Sequence, residues 1–140
     1  MSPLVRNLLA VLAGFIVGMI LNGGLVTISG SLVPLPEGVD PNDIESINAN
    51  IHKYSTKHFL MPFLAHALGT LGAAFTAAKI AVSHNMKFAL GFGVFFLIGG
   101  IAAATLLPNS PTWFKAIDLL VAYLPMAYLG GKLAGGNKKY

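Results

Sequence analysis

Four stretches of the chain, at about residues 8–27, 59–78, 88–107 and 113–133, are apolar and free or nearly free of Asp, Glu, Lys and Arg. Each is long enough to cross about 30 Å of hydrocarbon as a helix rising about 1.5 Å per residue. The connections after the second and third stretches, "VSHNMK" and "PNSPTW", are short, so neighbouring spans are expected to pack antiparallel. The one sizeable polar interval, residues 29–57, opens with Pro34, Pro36 and Gly38, which mark irregular chain. Asp40 as N-cap, Pro41 at the first helical position and Asp43 at the third then predict a short helix over about residues 41–54. Ile44, Ile47, Ile51 and Tyr54 recur at spacings of three and four and give it an apolar face, with Asn42, Glu45, Asn48 and Asn50 toward water. Such a face either lids its own bundle or docks on a partner. The pattern predicts an all-α membrane protein: one four-helix transmembrane domain over residues 1–140, with an external amphipathic loop helix.

Composition agrees, since 55% of the 140 residues are hydrophobic and only 10% charged, against about a quarter charged in soluble domains. The bilayer is therefore the first expected partner. The first stretch is longer than a signal-peptide core and lacks a convincing small-x-small cleavage site, so it is read as a retained helix. The absence of cysteine excludes disulfides and thiolate metal sites. Arg6, Lys79, Lys87, Lys132, Lys138 and Lys139 fall on one side of the predicted membrane, and Lys53, Lys57 and Lys115 on the other. By the positive-inside rule both termini are expected in the cytoplasm. Glu37, Asp40, Asp43 and Glu45 then lie outside. The net charge of +4 is mainly the cytoplasmic collar and gives no reason to invoke nucleic acid.

Small residues mark where helices are expected to touch. Gly14 and Gly18 form a GxxxG pair, Ala65, Gly69, Ala73 and Ala77 a stripe along the second span, and Gly131 with Gly135 repeats the spacing. Packing within the chain is preferred to a dimer seam. Pro62 is expected in the first turn of its helix, where its missing N–H is nearly free, whereas Pro125 is the better candidate for a bend. Gly14-Phe15-Ile16-Val17 and Gly91-Phe92-Gly93-Val94 open a weak echo between the two halves, which fits either duplication or chance among Gly- and Phe-rich spans.

Each span carries a polar group in its predicted outer half: Asn22, His66, Thr105 and Asp118, with Thr70 one turn beyond His66. Together they form a candidate polar cluster. A carboxylate near the bilayer centre costs about 2.5–3.5 kcal/mol on insertion scales, so an intramembrane Asp calls for a reason. Asp118 is either an interfacial carboxylate bonded to backbone or to Lys115, or one half of a proton relay with His66. His66 is a satisfied helix-joining group, that relay partner, or an axial ligand for haem or chlorophyll. His52 and His58 show no metal-ligand spacing, so no metal site is expected. No nucleophile elbow, Walker loop or HExxH motif is present, and neither cofactor nor catalysis is expected.

The run "HFLMPFLAHALGTLGAAFTAAKIA" followed by "MKFALGFGVFFLIGGIAAATLLPNSPTWF" resembles uncharacterised small four-span inner-membrane proteins of Bacteroidota-like bacteria, over most of the chain. The resemblance implies a four-helix, multi-pass protein of a bacterial inner membrane and no activity to carry over. The leading functional expectation is a non-catalytic accessory subunit of a larger membrane complex, meeting its partner through the small-residue faces and through Ile44, Ile47, Ile51 and Tyr54. The alternative is a small oligomeric channel or proton-coupled transporter using Asn22, His66, Thr70 and Asp118. A haem- or chlorophyll-binding subunit, liganded through His66, ranks third.

Overall fold

The computed structural model describes residues 1–135; Lys138 and Lys139, placed above in the basic collar, lie outside the described residues. The order of elements is α1 (Pro3–Leu32), α2 (Ile44–Asn50), a 3-10 turn (Ile51–Lys53), α3 (Thr56–Ile80), α4 (Asn85–Leu106), α5 (Thr112–Val121) and α6 (Leu124–Leu133). Four helices are long and apolar enough to cross a membrane, the last being α5 and α6 together, Thr112–Leu133. The protein is thus a multi-pass helical membrane protein.

Helix α1 extends five residues beyond each end of the apolar stretch that announced it. Ser2 caps it by accepting from Val5 N, with Pro3 at the first position. It stops at Leu32 because Val33 precedes Pro34 and is pushed out of the helical region. The extra polar turn is satisfied locally: Thr27 Oγ1 donates to the Gly23 carbonyl and Ser29 Oγ to that of Val26.

The loop helix is shorter than expected and begins three residues later. The Asp40 carboxylate closes a turn by accepting from Asn42 N, so it is Asp43 that caps α2, accepting from Glu45 N. The apolar face also turns inward. Ile51 is 7% exposed and Tyr54 packs on Phe59 at 5.8 Å between ring centroids, while Ile44 remains 48% exposed. Asn48, expected to face water, accepts from Asn109 N through Oδ1 and from Asn109 Nδ2 through its carbonyl. The segment therefore lids its own bundle by clasping the α4–α5 connection. His58 completes the lid: its Nδ1 accepts from Ser55 N at 3.0 Å, which leaves Nε2–H to donate to the Pro34 carbonyl at 3.1 Å.

At the opposite end, three side chains tie the α3 terminus. Arg6 Nε donates to the Ile80 carbonyl, Asn7 Oδ1 accepts from Val82 N, and Asn85 Nδ2 donates to the Ala78 and Ala81 carbonyls. The carbonyls among them are the orphan groups a helix C-terminus leaves. The amino terminus and the α3–α4 connection thus share one end of the bundle, and the lid and the α4–α5 connection share the other.

Helix α3 is the axis of the packing, with α1, α4 and α6 laid against it. The stripe Ala65, Gly69, Ala73 and Ala77 is buried as expected, but so are Ala67, Thr70, Ala74 and Ala78, because α3 is covered on more than one face. Gly14 and Gly18 both serve this contact within the chain: a Cβ on Gly18 would lie 2.8 Å from Ala73 Cβ. Gly131 likewise meets Ala89. Gly135 is a correction to the sequence reading, since it sits at φ +88 just past α6 and ends the helix there. Pro62 is another, lying in the interior of α3, whose start at Thr56 precedes the expected one.

Substituting Gly18 by Leu should destabilise the protein by about 1–3 kcal/mol through overpacking. Gly24→Leu, where nothing lies within 4 Å, should be neutral. Thermal unfolding in detergent checks both, and equal effects would contradict the α1–α3 contact.

Candidate functional site

The span Thr112–Leu133 is broken at its centre. Pro125 lacks the N–H that the residue-121 carbonyl would receive, and its ring crowds that carbonyl. Helix α5 ends at Val121 and α6 starts at Leu124, leaving Tyr123 at φ −113, ψ −82 between them. The break changes which residues can meet. In a continuous helix, positions five apart project about 140° from each other at 3.6 residues per turn. Here Tyr123 instead reaches back to Asp118, its Oη donating to Oδ2 at 3.0 Å.

The second carboxylate oxygen pairs with His66 Nδ1 at 2.8 Å. An ionised carboxylate only accepts, so the pairing puts the proton on Nδ1. Asp118 is 5% exposed and Tyr123 2%, and the imidazole stacks beside the phenol ring at 5.8 Å. Lys115, the sequence alternative for Asp118, donates to the Pro108 carbonyl instead. Two hydrogen bonds to a charged group, each worth about 1.5–3 kcal/mol, are of the size needed to hold a carboxylate here. Position matters as well as pairing. Gly100 of α4 makes room for Tyr123, because a Cβ there would fall 2.6 Å from the ring Cε2.

The His66 imidazole, 24% exposed, floors a cleft of about 160 Å³ between α1 and α4. Met19 and Asn22 of α1 form one wall, Phe96 and Gly100 of α4 the other, and Thr70 and Tyr123 join His66 on the floor. Met19 and Ala103 at the rim are exposed, so the cleft opens sideways, toward lipid. Thr70 is 2% exposed and its hydroxyl donates to the His66 carbonyl at 2.7 Å. A second groove of about 370 Å³, lined by Val11, Phe15, Phe88 and Phe95 among others, is apolar apart from Lys87.

Of the five polar residues singled out by sequence, His66 and Asp118 bond directly, and Asn22 and Thr70 border the same cleft. Thr105 does not join them. It is exposed and its hydroxyl donates to the Ala102 carbonyl, one turn back on its own helix. Tyr123 and Gly100 were missed by sequence reasoning; the available signal was a tyrosine in the middle of a span, away from the interfaces where tyrosines gather. Among the described residues no group of three or more His, Asp or Glu side chains is placed to hold a metal ion. His52 Nδ1 is engaged with the Ala49 carbonyl. The cleft is also smaller than the roughly 300–1,000 Å³ of pockets for drug-sized ligands.

Comparison with protein-family models, curated proteins and solved structures gave no match to this chain.

Tyr123→Phe should destabilise the protein by about 1–3 kcal/mol, the cost of leaving a buried acceptor short of a donor. Gly100→Val should act in the same direction by displacing the ring, while Gly99→Val, with open space around it, should not. Unfolding midpoints of the three variants in one detergent provide the check; a neutral Gly100→Val would contradict the close approach.

Proposed function

We propose that this protein is a small proton-linked carrier of a bacterial inner membrane, which binds an amphipathic substrate in the cleft between α1 and α4. The observation that supports this reading is Asp118 held between His66 and Tyr123 beneath a cleft that opens to lipid. A histidine whose Nδ1 is fixed by a carboxylate still has Nε2 free to take or release a proton. A sideways opening admits a head group while a tail stays in the bilayer. With Arg6, Lys79, Lys87 and Lys132 toward the cytoplasm, the cleft lies in the outer half of the membrane.

The accessory-subunit reading draws on the small-residue faces and on Ile44, Ile47, Ile51 and Tyr54 as a docking face. Ile51 is buried and Tyr54 packs on Phe59 within the chain, which leaves Ile44 as the exposed member of that face. No separate catalytic role is assigned.

The test is a charge-movement assay on proteoliposomes adsorbed to a solid support, with concentration jumps of short-chain amines, alcohols and carboxylates. At least one class should give a protein-dependent, pH-dependent current that falls at least tenfold in His66→Ala and in Asp118→Asn. Thr105→Ala should keep it. The absence of protein-dependent current with every class would remove the carrier reading.

A further inference from the structure

The hydrogen-bond directions around the cleft constrain what can bind there. Tyr123 spends its only O–H on Asp118, and Thr70 spends its own on the His66 carbonyl, so both oxygens offer lone pairs alone. His66 spends its Nδ1–H on Asp118, so in the neutral ring Nε2 is also an acceptor. Only Asn22 carries a donor among the polar side chains bordering the cleft. The lining is therefore rich in acceptors and short of donors. A ligand that contributes donors is matched to it, and one that contributes further acceptors is not.

Charge selects in the same direction. The groups facing His66 are Asp118 from α5 and Tyr123 from the α5–α6 break; α1 contributes the uncharged Asn22 and α4 only Phe96 and small residues. No lysine or arginine lines the cleft. With His66 neutral, one negative charge is left beneath a low-dielectric cleft, and with His66 protonated that charge is cancelled. The Phe96 ring at the cleft adds a surface suited to a cation.

We propose that the cleft selects a protonated amine carried on an apolar tail, and that this cation and the proton on His66 compete for the charge of Asp118. Binding of one ammonium group then expels at most one proton, from His66 Nε2 to water, and rebinding of the proton expels the amine. The inference rests on the carrier reading and specifies its substrate class.

The experiment compares octylammonium, octanol and octanoate as probes for the full chain in a non-ionic detergent, by titration calorimetry and by proton release in weakly buffered solution. Octylammonium should bind saturably and at least tenfold tighter than octanoate, with octanol between them, and should release protons in an amount that shrinks as the pH is raised. Asp118→Asn should abolish the preference. Because the ranking is read on the unaltered protein, it stands even if that variant fails to fold. Equal or tighter binding of octanoate or octanol, no saturable binding, or binding without proton release would overturn the inference. The measurement uses no gradient, so a preference for octylammonium without any current in proteoliposomes would sink the carrier reading and leave the ligand class standing.

Discussion

A carboxylate buried in the middle of a membrane bundle must be held by donors, and the organisation of the α3 to α6 half follows from how Asp118 obtains two. One comes from α3 through His66, the other from the α5–α6 break through Tyr123. Each donor has a structural condition attached. His66 is brought near by an axis helix lined with alanine and glycine, which allows close approach where no hydrophobic force drives helices together. Tyr123 requires both the interruption ahead of Pro125 and the space left by Gly100.

The same hydrogen bonds that stabilise the carboxylate give the cleft its chemical character. Every donor directed at Asp118, and the Thr70 hydroxyl directed at the His66 carbonyl, is a donor withheld from the cleft. Packing therefore fixes the polarity of the binding surface, and α1 completes it by leaning on α3 through Gly14 and Gly18, with Phe92 and Phe96 of α4 against the same two glycines. The lid of residues 33–55 closes the far end through Asn48, Asn109 and the His58–Pro34 contact, separate from the sideways opening.

The spans were legible in the sequence because long uncharged runs leave a helix few alternatives in hydrocarbon. The stripe on α3 was legible because close approach demands small residues at fixed spacing. His66 and Asp118 stood out by the cost of placing ionisable groups there. Tyr123 escaped because periodicity assumes an unbroken helix, and a helix through Pro125 would have aimed it away from Asp118. Thr105 was misplaced for a related reason: depth can be counted along a span, but rotation about its axis cannot when nearly every position is apolar. The loop helix was anticipated with its start three residues early, since Asp40 and Asp43 compete as caps and only the turn at Asp40 decides between them.

The central claim is that Asp118 holds the proton of neutral His66 on Nδ1 and thereby presents a bare Nε2 to the cleft. Nitrogen-15 solid-state NMR of histidine-labelled protein in lipid, at alkaline pH, reads this directly. The account predicts a protonated, strongly hydrogen-bonded Nδ1 and an unprotonated Nε2 at His66, with the tautomer preference lost in Asp118→Asn. A neutral ring protonated on Nε2 in the unaltered protein would contradict it.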